Sequence, residues 1–393
     1  MIFNLFKKKS SVLLALDIGT EFVKAVFFEK EGGRSEVISV FAEKIEKRGE
    51  LDSHNYERDV LKSAVLGAIK KSEREAVLSD AKSEIKEKIC NGRKNVILTF
   101  SPKFLKTEIF RKNVLRVNAG KKISKKEEET IIRDSLNEAK GKIEANFSKN
   151  CGIFPENIVW VSSDVTEKKV DGHSFVALSG KTGSEVEINV FISYLQNGYL
   201  EEIKSILEAY GNYQILRISH LADSIAFLPK TGKNNSIYLD IGGDFTQAFI
   251  VKDNKIKNIF SFQGGNYFTN AVAYGLGMEE NIAEKIKNNY SNFSLERSSE
   301  EKVEKIIRQQ SLAFFENLNR LTTQESGHDI FDSDIYLFGG GANLEDIKNV
   351  IEQEVVRFSG NVKIVYSDDV KNIKNTRIPR NPQFVPAVLV CFS

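Results

Sequence analysis

The chain has 393 residues, 41% of them hydrophobic and 28% charged, with 56 Lys and Arg set against 54 Asp and Glu. At roughly 100 to 200 residues per domain this is material for two to four lobes; the apolar share excludes wholesale disorder, and a net charge of +2 carries no global signature of nucleic-acid binding. The longest apolar stretches, Val12–Leu16 and Val385–Val390, fall far below the roughly 18 residues of a membrane span, which argues against an integral membrane protein.

Met1–Phe6 followed by Lys7, Lys8 and Lys9 is apolar and then basic, the reverse of a secretory signal. Two readings stay open for this segment: a frayed terminus, or peripheral contact with an anionic leaflet or a membrane-bound partner, where each basic residue contributes about 1 kcal/mol. Cys90, Cys151 and Cys391 form no CxxC pair, and His54, His173, His220 and His328 stand alone. That pattern fits reduced thiols in a cytoplasmic protein and no zinc site.

Leu13–Leu16 leads into Asp17-Ile18-Gly19-Thr20, and Val23–Phe28 and Val37–Val40 follow as two more strands. Further along, Val96–Phe100 reads as a strand and Ser124–Glu127 as a capping box opening a helix over Glu127–Phe147. Gly180-Lys181-Thr182 is not a phosphate-binding Walker loop, because Phe175 stands where the first glycine is needed. The opening grammar then returns: Ser236–Leu239, Asp240-Ile241-Gly242-Gly243, Thr246–Val251 and Ile256–Phe262, with Asp240 placed 223 positions after Asp17. A duplication of this kind predicts two similar lobes.

The chemistry of the repeated turn follows from its residues. Glycine tolerates positive φ and leaves backbone N–H groups free to point at a phosphate. An aspartate at the strand end repels phosphate but holds Mg²⁺ through water, since magnesium keeps several waters and takes one or two carboxylates. Lys24 returns on the next strand as a point charge for phosphate, and two facing hairpins would grip a polyphosphate from both sides. A third element, Ile335–Phe338 running through Gly339, Gly340 and Gly341 into Ala342 and a helix, offers bare backbone for a flat base.

Taken in this order, the three pieces resemble the phosphate-1, phosphate-2 and adenosine motifs of the actin, chaperone and sugar-kinase ATPase superfamily. Within it the chain looks most like the bacterial cell-division protein FtsA family, with the type IV pilus assembly PilM family second. Gly264-Gly265 with Thr269 and Asn270, then Ala283-Glu284 and Lys287, resembles an FtsA pattern, although Ala271 replaces its aspartate. Val170–Gly183 and the alternating Val186–Val190 resemble the end of the inserted FtsA subdomain, a feature the PilM family is expected to lack.

The resemblance implies an α/β protein of actin-like ATPase fold, two lobes of duplicated RNase H-like subdomains with an inserted α/β subdomain in lobe 1. Its boundaries would be an apolar and basic segment at 1–12, the lobe 1 core at 13–94, the insertion at 95–194, and a return to lobe 1 with a first hinge at 195–233. Lobe 2 would follow with a core at 234–263, an outer subdomain at 264–326 and the adenosine motif at 327–358, before a second hinge helix at 359–393. Phosphate contacts carried over are Asp17, Gly19, Thr20 and Lys24, faced by Asp240, Gly242, Gly243, Asp244 and Thr246. Glu284 and Lys287 would lie at ribose and base, against the bland alternative of a solvent-facing pair, with Gly339, Gly340, Gly341 and Ala342 under adenosine. Mg²⁺ would be held through water by Asp17 and Asp240, with ATP as the nucleotide.

Three departures bear on chemistry. Asp244, Phe245 and Gln247 stand where the family pattern has glycine, threonine and aspartate. A carboxylate at Asp244 is expected to oppose a nearby phosphate, which leaves at most a weak Mg²⁺-dependent ATPase with no catalytic residue assigned. The resemblance implies a cytoplasmic scaffold at the inner face of the membrane. It would bind a tubulin-like division-ring protein through outer lobe 2 and self-associate into filaments, with no nucleic acid. The alternative is a PilM-like adaptor for a pilus membrane-protein peptide. A small-molecule kinase needs an aspartate base that nothing singles out, and a chaperone needs a peptide-binding domain after Val390.

Overall fold

The computed structural model describes residues 11–31, 33–46, 54–151, 154–230, 235–326, 333–354, 360–374 and 377–393; the Met1–Lys9 segment lies outside them. The chain opens with a meander, β1 (Ser11–Ile18), β2 (Phe22–Glu31) and β3 (Arg34–Lys44), then crosses through helices α1 (His54–Leu78) and α2 (Ser83–Asn91) to β4 (Lys94–Phe100). Next come β5 (Lys106–Leu115), α3 (Lys125–Cys151), β6 (Ile158–Val170), β7 (His173–Ser174) and β8 (Glu185–Gln196), and the chain returns through α4 (Asn197–Tyr210) to β9 (Tyr213–Ile218). A second meander, β10 (Ser236–Ile241), β11 (Phe245–Lys252) and β12 (Lys255–Gln263), leads into α5 (Gly265–Leu276), α6 (Glu280–Ser291) and α7 (Arg297–Ser326). β13 (Asp334–Phe338), α8 (Glu345–Glu354), β14 (Val362–Ile364), β15 (Ile373–Lys374) and α9 (Val385–Val390) complete it.

The described strands form three sheets, ordered β15-β3-β2-β1-β4-β9, β12-β11-β10-β13-β14 and β5-β8-β6-β7. Apart from β15, the first two share one topology: two antiparallel pairings on one side of the central strand and parallel pairings on the other. The duplicated grammar is thus a duplicated sheet. β1 and β10 are central because they are apolar on both faces, as a strand covered on two sides must be.

Strand alternation decides what each face does. On β1, Leu14, Leu16 and Ile18 pack into the first lobe with Val65 and Ile69 of α1, whereas Leu13 and Ala15 look toward the second lobe. On β10, Ile237, Leu239 and Ile241 pack into the second lobe, and Tyr238 looks back. A shared core therefore lies between the lobes, joining Leu13, Phe28, Tyr238, Phe249, Tyr336 and Phe338 to Val385–Val390 of α9 and to Leu221 and Ile225 of a 3₁₀ turn at Leu221–Phe227. α9 is buried along its whole length.

The insertion departs from expectation at its start. Val96–Phe100, assigned by resemblance to the insertion, belongs instead to β4, which pairs in parallel with β1 and β9 in the first sheet. Two-faced burial explains the placement, because Val96, Leu98 and Phe100 pack in the lobe 1 core while Ile97 joins the shared one. The inserted sheet runs from Lys106 to Gln196. Its helix α3 is opened by the Ser124–Glu127 capping box, with the Glu127 amide donating to Ser124 Oγ at 3.1 Å and the Ser124 amide to Glu127 Oε2 at 3.4 Å. The insertion also reaches lobe 2: Lys257 of β12 pairs with Glu167 of β6 at 2.6 Å, and Phe191, His220 and Phe249 stack edge to face. Burial holds the His220 imidazole neutral, its pKa lowered to about 3. Its Nδ1 accepts from the Ala222 amide at 3.1 Å, which assigns the ring proton to Nε2, 2.8 Å from Thr107 Oγ1.

Candidate functional site

The alternation that sends Leu13 and Ala15 toward the other lobe sends Asp17 there too, at the strand end where the apolar run stops. Lys24 on β2 and Thr99 on β4 are its register partners, so Lys24, Asp17 and Thr99 form a row across three strands on the interlobe face. The second lobe repeats the row as Gln247, Asp240 and Phe338. Between the rows lies a cavity of about 390 Å³, within the range of small-molecule sites.

At its base, Lys24 Nζ donates to Asp17 Oδ2 at 2.7 Å, both groups being buried. Among the described residues Asp240 makes no ion pair of this kind. Burial lifts its carboxyl from the ordinary 3.8 to about 7, with Lys24 pulling it down and Asp17 pushing it up. Two carboxylates sharing a cleft, one resisting ionisation, favour an added cation. Among the described residues no group of three or more His, Cys, Asp or Glu surrounds a metal position. A cation here would complete its shell with waters and ligand oxygens, as Mg²⁺ does, so the donor set fits Mg²⁺ carried with a phosphate and not a closed protein cage.

The walls come from the two turns. Gly19 and Gly242 occupy equivalent places, where an added Cβ would lie 2.7 Å from Phe22 O and 2.8 Å from Phe245 O respectively. The turns touch across the cleft: the Asp244 amide donates to Thr20 Oγ1 at 3.0 Å, and Asn266 Nδ2 donates to Glu21 Oε1 at 2.7 Å and to Asp244 Oδ1 at 2.6 Å. Gly339, at φ +85°, carries the chain past Asp240 so closely that a Cβ would stand 2.5 Å from Oδ1. Next to it Gly340 has open space where its side chain would be and lines the cavity.

Glu284 and Lys287 of α6 add a charged pair to the lining. They are not a solvent-facing pair: Lys287 is only 7% exposed. Its Nζ lies 2.6 Å from Glu284 Oε2 and donates to Thr269 Oγ1 at 2.6 Å, and the Thr269 hydroxyl donates to Glu284 at 2.5 Å. Burial works to raise the Glu284 carboxyl, but Lys287 and Thr269 hold it below the ordinary carboxylate range. Both residues line the cavity.

Of the residues anticipated from sequence, Asp17, Gly19, Thr20, Lys24, Asp240, Gly242, Gly243, Glu284, Lys287, Gly339, Gly340 and Gly341 come together around this one cavity. Asp244, Thr246 and Ala342 do not line it. The Asp244 carboxylate is turned onto Asn266, with Lys103 at 3.9 Å, so the expected opposition to a cleft phosphate loses its geometric basis. Thr246 shares the parity of Ala248 and Ile250 and faces the lobe 2 core, its hydroxyl donating to Gln263 O at 2.9 Å; Ala342 packs in the same core. Thr99 and Gln247 were not anticipated as site residues. Register would have found Thr99 had β4 been assigned to the first sheet.

Comparison with known proteins adds to this geometry. Residues 237–388 match the model of the cell division protein FtsA family. The protein of a PilM–PilN type IV pilus biogenesis complex superposes with a TM-score of 0.58 at 16% identity, covering 96% of this chain and 97% of its own. Ethanolamine utilization protein EutJ from Carboxydothermus hydrogenoformans gives 0.47 at 12% identity over 98% of this chain and 90% of its own. A Bacteroides thetaiotaomicron protein with an actin-like ATPase fold gives 0.42 at 11% identity over 99% and 98%. No curated protein matches the sequence. The fold is that of the actin-like ATPases.

Proposed function

We propose that this chain, in which residues 237–388 match the cell division protein FtsA family and which superposes on a PilM–PilN complex protein, is an actin-like, ATP-binding cytoplasmic scaffold whose bound nucleotide sets interlobe closure. Closure in turn would govern self-association and attachment of a division ring to the inner face of the membrane. The observation that carries this reading is the convergence of the two Asp-Ile-Gly turns on one cavity, with Asp17 and Asp240 at its base. Asp17 and Asp240 would hold Mg²⁺ through water. Lys24, Thr20 and the Gly19, Gly242 and Gly243 backbone would take the phosphates, and Glu284, Lys287 and Gly339–Gly341 the nucleoside. When bound, the cation would neutralise charge between the carboxylates and the phosphates.

The nucleotide acts here as a conformational ligand: it favours the state to which both lobes contribute contacts, by no more than its differential affinity for that state. A tubulin-like ring protein would dock on the outer helices of lobe 2, where Tyr274 is 93% exposed and Phe293 73% exposed. A second reading, an adaptor that binds a cytoplasmic peptide of a pilus membrane protein, is favoured by the near full-length match to the PilM structure. Calorimetry of MgATP against the wild type and Asp17→Ala tests the shared core of both readings. Loss of binding in the variant is expected, and no binding by the wild type at millimolar ATP would refute a nucleotide switch. Pull-downs with a ring-protein tail and with a pilus-protein cytoplasmic peptide then separate the two.

A further inference from the structure

The row of Lys24, Asp17 and Thr99 has an unequal bonding pattern. Lys24 and Asp17 satisfy each other at 2.7 Å, whereas Thr99 Oγ1 is buried, on a residue only 2% exposed, and has no hydrogen-bond partner among the described residues. Unpaired buried hydroxyls are uncommon and destabilise the fold that contains them. This one is not enclosed in packed core: Leu98 and Phe100 on either side face the lobe 1 core, while Thr99 lines the cavity. The duplicated lobe supplies an internal control. Phe338 occupies the position equivalent to Thr99, register partner of Asp240 as Thr99 is of Asp17, and it is fully apolar. The architecture therefore asks for no hydroxyl at this place.

We propose that Thr99 is a ligand-contacting residue, its hydroxyl donating a hydrogen bond to a terminal phosphate oxygen of the bound nucleoside triphosphate. The inference rests on the nucleotide reading above and deepens it by naming a group that senses the phosphate end. That end is set by the neighbours: Thr99 is the register partner of Asp17, which Lys24 contacts at 2.7 Å, and these are the groups that the nucleotide reading assigns to cation and phosphate. As a neutral donor beside a carboxylate already occupied by Lys24, a threonine hydroxyl contributes a bond to an anionic oxygen without adding charge to the cleft.

The test compares wild type, Thr99→Val and Thr99→Ser by calorimetry with MgATP and with AMP, together with thermal melts of each protein without ligand. Valine fills the same volume and removes the unpaired oxygen, so the ligand-free Thr99→Val protein should melt at or above the wild-type temperature. It should bind MgATP about tenfold or more weakly, the range for a lost hydrogen bond to a charged partner, and bind AMP as the wild type does. Thr99→Ser should restore MgATP affinity to within about threefold of wild type. Wild-type MgATP affinity in Thr99→Val, or equal weakening toward both nucleotides with a lowered melting temperature, overturns the assignment. If the wild type binds neither nucleotide, the nucleotide reading itself fails; if it binds MgATP and Thr99→Val matches it, only the role of Thr99 fails.

Discussion

Replacing Asp240 with asparagine should stabilise the ligand-free protein while abolishing its response to Mg²⁺. Burial lifts the Asp240 carboxyl from 3.8 to about 7, so the folded state holds a proton there that the unfolded chain has released. With the folded pKa above the unfolded one, stability is fully present below about 3.8 and is lost as pH rises toward 7. About three pKa units at 1.36 kcal/mol each give an upper bound of about 4 kcal/mol. Because Asp240 is only partly buried and lines the cavity, screening reduces this to about 2 kcal/mol. Asparagine keeps the shape and never ionises.

Urea denaturation of wild type and Asp240→Asn between pH 4 and pH 8.5 measures the difference. The variant should gain about 2 kcal/mol at pH 8, with the advantage shrinking as pH falls and vanishing near pH 4. MgATP should raise the wild-type midpoint, increasingly above pH 7 where the carboxylate is free to ionise, and leave the variant unmoved. A variant less stable than wild type at pH 8, or an advantage that does not change with pH, would refute the view that Asp240 is a buried carboxylate waiting for a cation.

Three further outcomes follow from the same geometry. Gly339→Ala forces a side chain into φ +85° and within 2.5 Å of Asp240 Oδ1, so thermal melts should show a loss of about 2 kcal/mol or more, whereas Gly340→Ala, with open space around it, should stay within about 0.5 kcal/mol. Asp244→Gly should change MgATP affinity by less than about threefold in calorimetry, because its carboxylate is engaged by Asn266; marked tightening would return Asp244 to the cleft. Lys257→Ala should loosen the insertion from lobe 2, read as faster amide exchange in β6. Burial works to raise the Glu167 carboxyl, yet Lys257, Ser174 and Lys169 hold it down at about 2. The stability it lends the wild type is therefore present above about pH 4.5 and lost as pH falls toward 2, and the variant should show a weaker acid dependence.

Much of this was legible in the sequence because the two lobes repeat one grammar. Asp17 and Asp240 each end an apolar strand at a glycine turn, and strand alternation turns both toward the shared core. Parity also explains the failures. Thr246 looked like a phosphate ligand from its place in the motif, yet it lies on the strand face of Ala248 and Ile250 and points into lobe 2. The Glu284–Lys287 spacing is that of any helical ion pair; only the packing of α5 against α6 brings Thr269 to it and buries the lysine. Motif position states which loop a residue belongs to, and the period of the strand states which way it faces.

The insertion was the element least readable from the chain, and the duplication accounts for its location. In lobe 2, β13 passes through Gly339–Asn343 directly into α8 and then β14. In lobe 1 the equivalent path from β4 to α4 and β9 is interrupted by the whole β5–β8 sheet with α3. The glycine-rich corner beside Asp240 and the exit to the insertion beside Asp17 are therefore the same topological position, both at the cavity rim. Because the inserted sheet also holds lobe 2 through Glu167 and Lys257, any change in lobe separation must either carry it along or break that partly buried ion pair. If nucleotide sets closure as proposed, the pair would be a second, ligand-independent determinant of it, and Lys257→Ala should alter MgATP affinity without touching the cavity. An unchanged affinity in that variant would mean that the insertion rides with lobe 1 and takes no part in the nucleotide response.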